Sequence, residues 1–342
     1  MSKRNVTLAD LAERTGVSKA TVSLVMRDSS QVSDATKQRV LQAADDLGYV
    51  YNRAAASLRS KTTGTVGLIV TTVANPFFAE VVDGIESRIS ETGSSLILTQ
   101  HSESLAMQRR QIEVMLQSRV DGVIITPAYN TPWPDVARLM EAGVSTLLLT
   151  RRMPDLRASY VGSDNVAGSR AATEHLIEHG CTRIAFVGGA QGMSPQRERE
   201  DGVLAAIART AGAASITSHP GPTSQGAAYA VVRELLSGVE VPDAIVAYND
   251  LIALGAHAAI ADAGLVVGRD VRLIGFDDVA FCNFVRPAIT SVNSRPSLIG
   301  SIAAETLTRM ISDGGVVETV LVPNSLTIRE SCGCGGEFGV PA

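Results

Sequence analysis

Past Lys61 the chain contains no lysine. That absence removes the P-loop lysine, the Schiff-base lysine and the kinase-type lysine from everything downstream. No G-x-S-x-G is present, so an α/β-hydrolase nucleophile elbow has no candidate. The dinucleotide fingerprint G-x-G-x-x-G is missing too, and Gly188-Gly189-Ala190-Gln191-Gly192 matches only a loop. Cysteine is sparse: four residues at irregular spacing make no disulfide scaffold and fit a reducing cytoplasm. No uncharged apolar run reaches the roughly 18 residues of a membrane span, so no membrane association is expected. The opening residues run into Asp10 and Glu13 without an apolar stretch, so no signal peptide is expected either.

What remains is a globular composition, 45% hydrophobic and 19% charged over 342 residues. At ~150 residues per domain this is two or three domains. The net charge of −5 combines unlike parts. Residues 1–61 carry four Lys and six Arg against six acids, a net of +4, whereas residues 62–342 carry 20 Arg against 29 acids, a net of −9. A small basic head on a large acidic body points to a polyanion partner for the head alone.

Within the head, Thr7 precedes Leu8, Leu11 and Ala12, an apolar stripe at i, i+3 and i+4, with Asp10 at the third helical position. That pattern is a capping-box start on an amphipathic helix. Gly16 ends it as a left-handed residue, Val17 is a buried turn residue, and Ser18 caps a second helix whose Val22 and Val25 face the core. Two short helices joined by a glycine-containing turn make a helix-turn-helix. Ser33 caps a third helix, with Val40, Ala44 and Leu47 inward and Gly48 at its end. In such a head the second helix enters the major groove, which assigns Ser18, Lys19, Ala20, Thr21, Ser23, Leu24 and Arg27 to DNA. The competing account is a helical hairpin that binds protein.

Val6-Thr7-Leu8-Ala9-Asp10-Leu11-Ala12 and Gly16-Val17-Ser18-Lys19-Ala20-Thr21-Val22-Ser23, followed by Val32-Ser33, Leu47-Gly48-Tyr49 and Asn52-Arg53-Ala54-Ala55-Ala56-Ser57-Leu58, resemble the head of the lactose-repressor (LacI/GalR) family of bacterial transcriptional regulators. The resemblance implies a hinge helix over 52–59, ordered on operator DNA and paired across a dimer in the minor groove. Leu58 then matches the leucine wedged into the central base step, and Ala55 the small residue that lets the backbone approach. Asn52 also counts as DNA-binding, and Arg53 and Arg59 serve phosphates or groove edges. Two positions depart from the family. Leu24 stands where Arg is common, and leucine can touch a thymine methyl but cannot pair with guanine. Tyr51 stands where many members have Pro.

From Thr65 onward short β-branched runs alternate with helical stretches. Strands are expected at 66–70, 95–98, 122–125, 146–149, 183–187, 244–247 and 272–275. Helices are expected at 79–91, 105–117, 166–178, 199–211, 227–236 and 251–263. Apolar strands between amphipathic helices give a doubly wound parallel sheet. A body of this length exceeds a single core, so two lobes around a cleft are expected, with ligand at the carboxyl ends of the strands.

This α/β body resembles the family's effector-binding core, which is similar to periplasmic sugar-binding proteins. The resemblance implies an all-α helix-turn-helix head at 1–50, a hinge at 51–63, a core at 64–331 and a flexible tail at 332–342. One lobe then takes 64–162 and 293–322, and the other 165–290 and 323–331. It further implies effector contacts from Phe77 and Phe78, Arg199, Asn249 and Asp277. Sugar C–H faces pack on Phe77 or Phe78, Asp277 accepts hydroxyl protons, Arg199 presents a donor fork, and Asn249 offers an acceptor and a donor pair. Thr150 stands where an acidic residue is common, which leaves the sugar open. A purine or an acidic metabolite suits Arg199 as well. Asp250 is expected as a helix N-cap and Trp133 as a loop anchor.

Two metal-like patterns are set aside. His175-Leu176-Ile177-Glu178-His179 fits H-x-x-E-H, but a zinc enzyme needs a third ligand and leaves the head unexplained. Cys332-Gly333-Cys334 is half a metal clip, but Cys181 and Cys282 lie mid-body and a glycine-rich tail is the simpler account. That tail has no heptad repeat, so no tetramerising coiled coil is expected. The expectation is a cytoplasmic, non-enzymatic, ligand-responsive regulator that represses carbohydrate-related genes. It binds a pseudo-palindromic operator in double-stranded DNA as a homodimer and takes a sugar or sugar derivative, with no cofactor and no metal. The rival is a sugar-binding module acting through protein contacts.

Overall fold

The computed structural model describes residues 6–26, 29–49, 62–154, 157–314 and 316–334. The chain divides into two compact units, Met1–Thr63 and Gly64–Ala342. The first contains α1 (Leu8–Thr15), α2 (Lys19–Val25) and α3 (Asp34–Leu47). Its capping box is complete: the Thr7 N–H donates to Asp10 Oδ2 at 2.7 Å, and the Asp10 N–H donates back to Thr7 Oγ1 at 3.4 Å. Gly16 closes α1 at φ 70°, a left-handed value that glycine adopts without steric cost. Leu11, Val22, Val25, Val40, Ala43 and Ala44 form the core. Three details differ from expectation. Ser33 sits at the N-cap of α3 but makes no capping bond, its hydroxyl donating instead to Thr36 Oγ1 at 3.1 Å. Val17 is only half-buried. Leu47 is 38% exposed, because so small a core is already filled by Val40, Ala43 and Ala44.

The second unit is built on two six-stranded sheets. The first lobe contains β1 (Thr65–Val70), α4 (Pro76–Glu91), β2 (Ser95–Gln100), α5 (Leu105–Gln117), β3 (Gly122–Ile125), α6 (Trp133–Glu141), β4 (Ser145–Leu149) and β5 (Ser159–Ser163). The second contains α7 (Asn165–Glu178), β6 (Arg183–Val187), α8 (Ser194–Ala208), β7 (Ser215–His219), α9 (Gln225–Ser237), β8 (Ala244–Ala247), α10 (Asp250–Asp262), β9 (Arg272–Asp277) and β10 (Thr290–Asn293). The chain then returns to the first lobe as α11 (Pro296–Asp313) and β11 (Thr319–Val322), and ends in the second with β12 (Ser325–Thr327). The orders are β11-β5-β4-β3-β1-β2 and β12-β10-β9-β8-β6-β7, all parallel except β12 against β10. Central β3, β4 and β8 are buried almost throughout, as strands covered by helices on both faces must be, while edge strand β2 is mostly half-exposed or exposed.

Several elements had no sequence expectation. Ser159–Ser163 reads as small and polar, yet β5 is buried throughout because β4 and β11 pair with it on both sides. β7, β10, β11, β12, α6 and α11 were likewise not anticipated. Helix α8 begins at Ser194, with Pro195 in its first turn, rather than at 199. Trp133 opens α6 and packs against the cluster of Ile69, Ile112 and Val136, so it is a helix residue rather than a loop anchor. The start of the tail expected to be flexible is packed: Cys332 is fully buried, and just before it the Ser331 hydroxyl donates to the Leu273 carbonyl at 2.5 Å, while 335–342 lie outside the described residues. Among the described residues no helix is long and apolar enough to cross a membrane.

Candidate functional site

The head offers one surface of note. Thr21 N–H donates to Ser18 Oγ at 3.0 Å, so Ser18 caps α2 and fixes the direction in which the helix starts. Val22 and Val25 point into the core, and Ser18, Lys19 and Ala20 at the helix start are exposed. Thr21, Ser23 and Leu24 are half-buried on the same helix. The N-terminus of α2 therefore presents a lysine and a row of small side chains next to its unpaired backbone N–H groups, a surface suited to phosphate and groove edges. Arg27, Asn52, Arg53, Ala55 and Leu58 lie outside the described residues.

Between the two lobes of the body is a cavity of about 500 Å³. Phe77, Phe78, Arg199, Asn249 and Asp277 all line it. Asn75 accepts the Phe77 N–H at 3.2 Å and so starts α4 just after β1; the two phenyl rings then meet edge to face, with centroids 5.1 Å apart. Across the cavity, Arg199 rises from α8 and is almost wholly buried. Its Nε donates to Asn165 Oδ1 at 2.9 Å and its Nη1 to the Tyr248 carbonyl. The guanidinium lies 3.6 Å from the Phe276 ring centroid and 4.7 Å from that of Tyr248, so its plane is held by stacking as well as by hydrogen bonds.

Asp277 ends β9 with φ 109°, a strained value for a residue with a side chain, and Asp278 follows at φ 62°. Its Oδ1 is 3.5 Å from Arg199 Nη2, too far for a well-formed hydrogen bond, and it has no hydrogen-bond partner. Burial pushes the carboxyl up to about 8, with nearby Asp250 and Glu80 adding to the rise and the Arg199 charge opposing it. Burial wins because Arg199 already serves two other acceptors and approaches Asp277 only loosely. A buried acceptor in this state is satisfied by a ligand that brings its own donor.

The N-cap role expected of Asp250 falls one residue earlier. Asn249 Oδ1 accepts the Ile252 N–H at 3.2 Å, which leaves its amide group as the part available to the cavity. Asp250 instead lies under the floor, accepting from Ser291 Oγ at 2.6 Å and from the Val279 N–H at 2.9 Å. Burial pushes its carboxyl up to about 6.

Sequence reasoning missed several lining residues. Arg151 makes a two-pronged pair with Glu103, at 2.6 and 3.0 Å, and both border the cavity with Thr71, Thr72 and Tyr248. The Tyr129 hydroxyl donates to the Gln191 carbonyl at 2.6 Å, and the Arg152 N–H donates to Ser194 Oγ at 2.8 Å; each ties one lobe to the other. Arg151 beside the unusual Thr150, itself at φ 57°, was the one available signal for the first pair.

Comparison with known proteins follows the same division. Residues 7–52 match the family described as bacterial regulatory proteins, lacI family, and residues 173–332 match a periplasmic binding protein-like domain. A ribose operon repressor of Halalkalibacterium halodurans is 31% identical over 332 residues, which is 97% of this chain and 98% of that protein. The HTH-type transcriptional regulator CelR of Thermobifida fusca is 35% identical, covering 96% and 99%. A solved lac repressor dimer bound to operator and the anti-inducer ONPF matches with a TM-score of 0.84 at 28% identity, over 96% of this chain and 99% of that one. A CelR–cellobiose complex matches at 0.73 with 32% identity, over 96% and 100%.

Proposed function

The chain belongs to the lacI family of bacterial regulatory proteins, and on that footing we propose that it represses its target genes by binding a pseudo-palindromic operator as a homodimer under the control of a small sugar. It is a DNA-binding transcriptional regulator and not an enzyme. It works in the cytoplasm, where its operator is. The observation that carries the sugar assignment is the buried, donor-less Asp277 Oδ1 beside Arg199, opposite the Phe77 and Phe78 rings. Two cations among the described residues border the cavity: Arg151 is paired with Glu103, and Arg199 lies beside an Asp277 carboxyl that burial keeps protonated near neutral pH. An anionic ligand would face the Glu103 carboxylate, whereas the phenyl faces and the hydrogen-bonding groups of Asp277, Arg199 and Asn249 suit a neutral polyol. Ligand hydroxyls donate to Asp277 and accept from Arg199 and the Asn249 amide, and apolar sugar faces stack on phenyl.

On DNA, α2 reads the major groove through Ser18, Lys19, Ala20, Thr21, Ser23, Leu24 and Arg27. Asn52, Arg53, Ala55 and Leu58 work in the minor groove, Leu58 as the wedge. Effector and operator are linked, so each changes the affinity for the other by the same factor. The test is fluorescence anisotropy on the chain's own upstream DNA across a panel of neutral sugars. At least one sugar is expected to shift operator affinity in the wild type. Arg199→Ala keeps operator binding and loses that shift; loss of DNA binding in a folded Arg199→Ala protein refutes the cavity assignment.

A further inference from the structure

At the opposite end of the second lobe from the cavity, the fold gathers sulfur and imidazole donors that the sequence keeps far apart. His175, on the last turn of α7, meets the final segment of the described chain, where Cys334 Sγ lies 3.2 Å from His175 Nε2. The ring nitrogens of His175 and the sulfurs of Cys332 and Cys334 all offer an atom within 4.8 Å of one another. We propose that His175, Cys332 and Cys334 form a zinc-binding site that fastens the segment after β12 to the C-terminal end of α7. This site is distinct from the cavity: it lies about 15 Å along α7 from Asn165, the residue that holds Arg199.

The donor set selects the metal. Two thiolates and an imidazole are ligands for zinc, and magnesium or calcium, which want oxygen, have no place there. Around a tetrahedral zinc, with bonds of about 2.3 Å to sulfur and 2.0 Å to nitrogen, the donors stand roughly 3.5–3.8 Å apart. In the cluster the donors lie within 4.8 Å of one another, so the widest pair closes by about 1 Å to reach that spacing. Two thiolates cancel the charge of the ion, and the half-exposed side formed by His175 and Cys334 leaves the fourth position to water.

The backbone is built to hold this turn. Gly333, between the two cysteines, has φ +80°, and a Cβ there would lie 2.4 Å from the Gly268 carbonyl oxygen. Only glycine allows the C-G-C turn to seat at that depth. Ser331, just before it, accepts the Thr290 N–H at 2.8 Å, and its own carbonyl accepts the Leu273 N–H at 2.8 Å. Nearby, Arg272 Nη1 contacts Cys181 Sγ at 3.4 Å, which places a fixed positive charge beside the cluster and engages Cys181 separately. The H-x-x-E-H pattern, by contrast, does not act as a unit: His179 Nδ1 is engaged with the His175 carbonyl at 2.7 Å.

Cobalt(II) titration of the full-length chain, stripped with chelator and kept reduced, tests the proposal. The wild type is expected to take one equivalent, with a thiolate-to-cobalt charge-transfer band and strong tetrahedral d–d bands, both abolished by zinc. Cys334→Ser and His175→Gln are expected to lose those bands. Their zinc affinity falls by more than the ~10–100-fold that loss of a supporting group costs. Both residues are half-buried, so these variants keep the question answerable if Cys332→Ser, at a fully buried position, does not fold. His179→Gln is expected to bind as the wild type does. Absence of the charge-transfer band in the wild type overturns the site. So does its persistence in Cys334→Ser, or its loss in His179→Gln but not in Cys334→Ser.

Discussion

Replacing Asp277 with asparagine isolates the electrostatics of the cavity floor, because the amide keeps the shape of the side chain and cannot ionise. In the folded protein burial raises this carboxyl to about 8, against an ordinary 3.8. Between those values the native state keeps a proton that the unfolded chain has released, so wild-type stability falls as pH rises. The slope is about 1.4 kcal/mol per pH unit well below 8 and flattens above it, where both states are ionised. From pH 6 to pH 9 the wild type should therefore lose about 2–3 kcal/mol that Asp277→Asn does not. Asp250, raised to about 6, bends the curve in the same sense, but it is present in both proteins and leaves their difference to Asp277. Urea denaturation at half-unit pH steps gives that difference directly. Parallel curves for the two proteins between pH 6 and 9 refute the account of a buried carboxyl that Arg199 fails to hold ionised. A bound sugar that donates a hydroxyl to Asp277 favours the ionised form, so saturating effector should flatten the wild-type curve.

Lys19→Ala should weaken binding uniformly across DNA sequences and reduce the slope of log affinity against log salt by about 1, measured by anisotropy at several salt concentrations; an unchanged slope removes Lys19 from phosphate. Leu58→Ala should lower affinity for the specific operator much more than for random duplex, and equal losses on the two would remove the wedge. Gly300→Ala places a Cβ 2.2 Å from the Val81 carbonyl oxygen where α11 crosses α4, so it should cost about 1–3 kcal/mol by overpacking and lower the Tm. A Tm equal to that of the wild type would mean the crossing is looser than it looks.

Legibility along this chain follows the range of the interactions that build each part. The head was readable almost to the residue because its determinants are local: Thr7 with Asp10, Gly16 at φ 70° and Ser18 with Thr21 all act within four positions. Leu47 escaped because its exposure depends on how three helices fill one small core. Strands that are continuously apolar, such as β3 and β8, announced themselves, whereas β5 is a strand only because neighbours from elsewhere in the chain cover Ser159 and Ser163. Phe77, Phe78, Arg199, Asn249 and Asp277 were expected from the family resemblance, and all five line the cavity. The Arg151–Glu103 pair was not legible, since its partners are 48 residues apart and neither interrupts a periodic pattern.

Asp277 shows the same limit at a single atom. Its identity and its place at the end of β9 are written in the sequence, but its proton is not. The shift to about 8 needs complete burial, Asp250 and Glu80 on neighbouring helices, and an Arg199 whose charge is spent on Asn165 and the Tyr248 carbonyl. Each of those partners is set by packing between elements more than 25 residues away along the chain. The Tyr129–Gln191 and Arg152–Ser194 bonds join the two lobes that border the cavity, so a ligand held by both lobes bears on their relative arrangement. A sugar alters operator affinity only in so far as it binds two arrangements of those lobes with different free energies, and groups such as Asp277 and Arg199 that reach the cavity from the second lobe are where such a difference would arise.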